Sequence, residues 1–282
     1  MTSVSLFYDR VRWEEKQLHD RALHRGIQLE MVDVRDIIYG IPRESVTPTV
    51  ALQRCVSHSR GIRVAQYFEA GGSAVINSSR ASEICGDKFV TGLRLAGAGI
   101  PHPKTVEAFS VEAALKAADR LGYPVVMKPL NGSWGREVAV LSDVRSLRSY
   151  LELRQGSGDA DDRVFYLQEY VSNPGRDIRT VCVGGEVAVS IYRYAPEGDW
   201  RSNVALGGIA KPCQLEAAEK ELMVKASEVV ESEVAGVDSM EGPDGLIIHE
   251  VNSNVEFKGA SSGSGVDVAG KIMEYAQRRA AR

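Results

Sequence analysis

The chain has 282 residues, 44% hydrophobic and 26% charged, with a formal net charge of −4. This is the balance of a globular protein of one large domain or two to three small ones, and the acidic excess gives no support to general nucleic-acid binding. No apolar run approaches the ~20 residues that cross a bilayer, and Asp9 and Arg10 interrupt the N-terminal stretch before any signal-peptide pattern forms. A cytoplasmic protein with no membrane partner is expected.

Residues 1–86 alternate strands and helices. Strands are predicted at 4–8, 27–34, 49–52 and 74–77, with helices at 13–25 and 61–70 stopped by Gly26 and by Gly71-Gly72. Such alternation predicts a parallel sheet. No GxGxxG follows the first strand, so a dinucleotide site is not expected. A second region, 87–163, opens with a helix at 88–98, followed by the breaker Ile100-Pro101-His102-Pro103. Ser110 caps a helix running to Leu121. Residues 123–143 read as strand, glycine loop, strand; a helix at 144–154 and a polar loop at 155–162 follow. The third region, 164–282, opens with a strand at 164–170. Strands at 178–183 and 186–193 flank Gly184-Gly185, a hairpin signal. An irregular loop at 201–210 leads to an amphipathic helix at 215–231, a strand pair at 234–240 and 245–251, and a helix at 268–279.

The chemistry concentrates in a few places. Cys55, Cys85, Cys182 and Cys213 are widely spaced with no CxxC pair, so reduced thiols are expected. The glycines around Asn131 and Ser133 let backbone N–H groups approach a phosphate, although alone they describe a plain hairpin equally well. Lys128 favours the phosphate, because a lysine ending an apolar strand is costly without an anion. Asp238 and Glu250 fall on strands joined by a short turn, and Glu250 and Asn252 share a face because strand side chains alternate. Two carboxylates and an amide can be ordinary surface groups. Beside Lys128 and the glycine loop they suit Mg²⁺ holding substrate phosphates.

Asp87-Lys88, Val125 to Pro129, the loop at 131–136, Leu167 to Val171, Gly175 to Arg179 and His249 to Asn252 stand in the order found in ATP-grasp ligases. With the stretches 6–12, 51–61, 190–193 and 250–258 added, residues 4–278 resemble the LysX family of 2-aminoadipate–LysW ligases, relatives of RimK. The resemblance implies an α/β (α+β) protein: an ATP-grasp fold behind an N-terminal Rossmann-like pre-ATP-grasp domain. It implies that Lys88 and Lys128 bind ATP phosphates beneath a loop containing Gly132, Ser133, Trp134 and Gly135. Gln168, Glu169, Tyr170 and Val171 line the adenine segment and Asp177 sits near the nucleotide. Arg179, Arg201 and Asn203 stabilise the transferring phosphoryl group, and Asp238, Glu250 and Asn252 hold Mg²⁺. The implied reaction joins an amino acid to the C-terminal glutamate of a small acidic amino-group carrier protein of LysW type, through an acyl phosphate, in a homo-oligomer. Arg193 is a candidate grip for a substrate carboxylate, or else a surface arginine on a strand edge. Lys258 and Ser261 line the amino-acid pocket or belong to a solvated Ser/Gly loop, and Arg54, Ser57 and Ser59 face the same cleft. Three rival readings stay open: a RimK-like glutamate ligase acting on a protein or peptide C-terminus, a glutamate–LysW ligase of arginine biosynthesis, and an ATP-binding regulatory module.

Overall fold

The computed structural model describes residues 4–41, 47–129, 138–155, 164–198 and 208–282, which build three sheets. The first contains β1 (Val4–Tyr8), β2 (Leu29–Asp33), β3 (Val50–Gln53) and β4 (Ala74–Ile76) in the order β2-β1-β3-β4, all parallel. Helices α1 (Trp13–His24) and α2 (His58–Glu69) make the crossovers. The central strand β3 is buried along its whole length, as a strand covered on both faces must be. A short helix absent from the sequence reading, α3 (Ser79–Gly86), follows; the Ser78 hydroxyl caps it by accepting the Ala81 N–H.

Asp87 then accepts the N–H groups of Phe89 and Val90 at 2.9 and 3.0 Å, starting α4 (Lys88–Gly97) and fixing Lys88 at its first position. The second sheet comprises β5 (Thr105–Ala108), β6 (Val125–Lys128), β7 (Ala139–Leu141) and β8 (Phe165–Glu169), ordered β5-β8-β6-β7 and antiparallel throughout. Helices α5 (Val111–Leu121) and α6 (Val144–Gln155) accompany it. The strand expected to open the third region joins this sheet instead. Phe165 and Leu167 of β8 complete the core under α5 and α6, so the second sheet extends past the boundary expected at residue 163.

The third sheet, β11-β10-β9-β12-β13, contains β9 (Arg176–Val183), β10 (Glu186–Tyr194), β11 (Ile209–Pro212), β12 (Val234–Gly242) and β13 (Gly245–Asn252). Gly184 and Gly185 take φ of 61° and 82°, the left-handed pair that a tight hairpin between β9 and β10 requires. The tail of the predicted irregular loop, Ile209 and Ala210, begins the edge strand β11. Helix α7 (Ala217–Val229) packs on one face of this sheet. On the other, α8 (Lys258–Ser264) packs against β10 and β11, while α9 (Val268–Ala280) and Phe257 lie in one core with residues of the first sheet, including Leu6 and Leu52, and of the third, Val181 and Ile191.

Polar clamps reinforce this joint. Buried Asn77 donates to the carbonyls of Val234 and Ser253, both at 2.6 Å, and accepts the N–H groups of Glu233 and Val234 at 2.7 and 3.0 Å. Its amide thus satisfies four backbone groups, and Asn254 returns a bond to the Cys55 carbonyl at 2.6 Å. Asn77→Ala strands those groups and is expected to lower stability by about 3 kcal/mol, read as a drop in the thermal midpoint. An unchanged midpoint would show that water replaces the clamp.

Candidate active site

The third sheet aligns the charges. Arg179 on β9 faces Asp238 on β12, which faces Glu250 on β13, so three consecutive strands project their side chains from one face. Gly236 pairs with Asn252 one step along, placing the amide on the same face as Glu250. Between Ser239↔Ile248 and Asp238↔Glu250 the register slips by one residue, and His249 is the extra one. This bulge lets Ile248 and Val251 both enter the core beneath α7 while Glu250 points to the site. His249 Nε2 comes to rest 3.9 Å from Asp177 Oδ2.

Asp238 is 1% exposed. Arg179 approaches it with Nε 2.5 Å from Oδ1 and Nη2 donating to Oδ2 at 2.9 Å. Arg179 is aimed by a missing side chain: a Cβ on Gly236 would stand 2.5 Å from Arg179 Nη1 and 2.7 Å from Val255 Cγ2. Gly236→Ala therefore pushes the guanidinium off Asp238. Turnover is expected to fall roughly 10²-fold, the cost of an ångström-scale misplacement, in a steady-state assay. Wild-type turnover would show that Arg179 need not sit there.

Opposite these groups stand cations from the second region. The Lys128 ammonium, at the end of β6, donates to Gln168 Oε1 on β8 at 2.8 Å. Lys88 Nζ, from the first turn of α4, lies 3.8 Å from Glu250 Oε1. Burial pushes the Lys128 pKa down to about 8, against the pull of Glu250 and assisted by Lys88. Burial alone raises the Glu250 carboxyl, but Lys88, His249, Lys128 and Arg179 outweigh it and hold the group below its ordinary range. Asp177 is likewise held low by Arg193 and His249 in spite of burial. Lys88, Tyr166, Gln168, His249 and Glu250 line one pocket between α4, β8 and β13.

The other predicted residues divide. Gln168 is buried and donates to Thr105 Oγ1 and to the Tyr166 hydroxyl. Glu169 accepts the Lys104 N–H at 2.8 Å. Exposed Tyr170 and half-buried Val171 lie where the chain crosses from β8 to β9. Arg193 is neither a surface arginine nor open to solvent: it is 5% exposed and paired with Asp177 and Asp238. Ser261 and its neighbours form α8 rather than a solvated loop, and a Cβ on Gly263 would stand 2.7 Å from Ala210 Cβ. The Lys258 N–H donates to Glu14 Oε1. Arg54 is buried against Glu15 and the Val255 carbonyl. Gly132, Ser133, Trp134, Gly135, Arg201 and Asn203 lie outside the described residues. The sequence reading assigned no role to His249, although the apolar spacing 246, 248, 251 breaks the two-residue period and marks the bulge.

Among the described residues no three His, Cys, Asp or Glu side chains cluster to hold a metal by themselves. Asp238, Glu250 and the Asn252 amide do form an all-oxygen donor set on one face, which fits a hard divalent cation completed by phosphate oxygens. Asn252 Nδ2 is buried without a hydrogen-bond partner among the described residues, so this amide still has an unsatisfied group.

Comparison with known proteins agrees with this architecture. Residues 85–276 match the model of the RimK-like ATP-grasp domain and residues 4–84 that of the LysX preATP-grasp domain. A protein of Sulfurisphaera tokodaii named glutamate–LysW ligase ArgX is 36% identical, over 96% of this chain and 97% of its own length. The alpha-aminoadipate–LysW ligase LysX of the same organism is 36% identical over 90% and 91%. The crystal structure of a RimK domain ATP-grasp protein from Sphaerobacter thermophilus superposes with a TM-score of 0.78 at 27% identity, covering 97% of this chain and 98% of that one. The fold is that of an ATP-grasp enzyme, a ligase that forms a C–N bond and uses ATP and Mg²⁺. Within that class the chain belongs to the RimK-like ATP-grasp family and carries a LysX-type pre-ATP-grasp domain.

Proposed function

We propose that the chain is a carboxylate–amine ligase that joins the α-amine of an acidic amino acid, 2-aminoadipate or a close relative, to the side-chain carboxylate of the C-terminal glutamate of a LysW-type carrier protein. The ligase reading is carried by the in-register line Arg179, Asp238, Glu250 facing Lys88 and Lys128. The carrier reading is supported by the two relatives, both named as LysW ligases. Glutamate is the second reading for the amine, favoured by the longer of those two alignments, 273 residues against 260.

In this mechanism the carrier's carboxylate attacks the γ-phosphorus of ATP, giving an acyl phosphate and ADP. The amino acid's amine then attacks the acyl carbon and inorganic phosphate leaves. Lys88 and Lys128 bind the phosphates, and Arg179 is the cation placed nearest the carboxylates to follow charge onto the transferring group. Asp238, Glu250 and Asn252 would hold Mg²⁺, which neutralises charge on the phosphate oxygens when bound. Burial pushes the Cys55, Cys85 and Cys182 thiols up to about 12 and raises that of Cys213 as well, so none of the four is poised as a thiolate nucleophile.

The test is the mass of a LysW-type carrier after incubation with enzyme, Mg-ATP and either 2-aminoadipate or glutamate, with ADP release followed in parallel. A gain of one 2-aminoadipate unit supports the first reading and a gain of one glutamate the second. Turnover of glutamate on a peptide without carrier would overturn both in favour of RimK-like chemistry.

A further inference from the structure

The placement of Arg193 assigns it a different task from the one its sequence context suggested. It faces Asp177 across the β9–β10 pair. Its Nε donates to Asp177 Oδ1 at 2.7 Å, and its Nη2 pairs with Asp177 Oδ2. The same Nη2 lies 3.2 Å from Asp238 Oδ1. All three groups are buried, at 5%, 6% and 1% exposure for Arg193, Asp177 and Asp238. A guanidinium presents its donors in a rigid fork, so two bonds to one carboxylate fix its plane and aim the remaining N–H. That fixed plane holds Nη2 at ion-pair distance from Asp238.

We propose that Arg193 is a positioning residue for the cation site: clamped by Asp177, it sets the orientation of Asp238 toward the divalent cation shared with Glu250 and Asn252. This rests on the reading of Asp238 as a metal ligand. Two arginines contact Asp238 and they differ in kind. Arg179 is held by Asp238 itself, at 2.5 and 2.9 Å, and can leave it for a phosphate without losing another carboxylate partner. Arg193 is pinned from behind by Asp177, so it stays when the site fills. A substrate grip would need an open guanidinium, and this one is closed on both sides by acids of its own chain.

The experiment is a titration of the purified protein with Mn²⁺, a spin-active substitute for Mg²⁺, in the presence of a non-hydrolysable ATP analogue. Free Mn²⁺ is read by electron paramagnetic resonance. The variants are Arg193→Lys, Asp177→Asn, the double substitution and Asp238→Asn, each checked for folding by its thermal midpoint. Both single substitutions are expected to weaken Mn²⁺ binding by roughly 10–100-fold, the usual cost of losing a group that orients a metal ligand. The double variant should be no weaker than the worse single one, because both act through one path. If Arg193→Lys fails to fold, Asp177→Asn, which keeps the shape and Arg193 itself, carries the test. Unchanged Mn²⁺ affinity in Arg193→Lys with a raised KM for the amino acid would make Arg193 a substrate ligand and overturn the proposal. Unchanged affinity in Asp238→Asn would remove the metal-ligand reading beneath it as well.

Discussion

Asp238→Asn is expected to reduce ligation by at least roughly 10²–10³-fold, the effect of deleting one electrostatic element of a preorganised transition-state site. The same substitution should also destabilise the nucleotide-free protein. Asp238 is buried between Arg179 and Arg193, and an amide there leaves both guanidiniums without that anion. Removing one member of a buried ion pair costs about 3–5 kcal/mol, which for a chain of this size lowers the thermal midpoint by roughly 10 °C. Steady-state ADP release and a calorimetric scan read the two effects separately. Loss of activity with an unchanged midpoint would mean that the arginines find other partners. Retained activity would exclude Asp238 from the chemistry.

Lys128→Gln is expected to lower kcat/KM for ATP by roughly 10²–10³-fold, and pH dependence gives a sharper test than the loss itself. Burial lowers the pKa of Lys128 to about 8 in the free protein. Only the ammonium attracts phosphate, so wild-type kcat/KM for ATP should be flat below pH ~8 and fall about tenfold per pH unit above it. Bound phosphate favours the charged form, so kcat should hold to higher pH. Lys128→Arg, charged at every accessible pH, should lose this alkaline fall. A fall that persists in Lys128→Arg would assign it to another group. The linkage to folding has the opposite sense. Between the folded value of about 8 and the ordinary lysine value of 10.5 the unfolded chain binds more protons. The cost of burying this lysine is therefore complete below pH ~8 and relieved as pH rises through that window.

Much of the fold could be read locally. The parallel sheet of the first region followed from strands and helices alternating at short spacing, and the β9–β10 hairpin followed from Gly184-Gly185, where a left-handed pair is sterically open to glycine. The facing of Asp238 and Glu250 followed from two apolar strands and a short turn. Other elements were not legible. β5 is four residues long and α8 after Lys258 is made of small residues, too little pattern to distinguish either from loop. β8 has the composition of a buried strand, and nothing within it tells which sheet will take it.

Residue type, alternation and turn chemistry act over a few neighbours. By itself the sequence therefore determined most of the short segments that are strands or helices, which side chains of those segments share a face, and the set of cations and oxygen donors the chain can offer. The tertiary structure decided what those groups meet. It placed β8 between β5 and β6, slipped the β12–β13 register at His249, and closed Arg193 between Asp177 and Asp238. These outcomes depend on pairings between strands remote in the chain and on the free energy of burying charge only where opposite charge waits, and neither is expressed in a local stretch of residues.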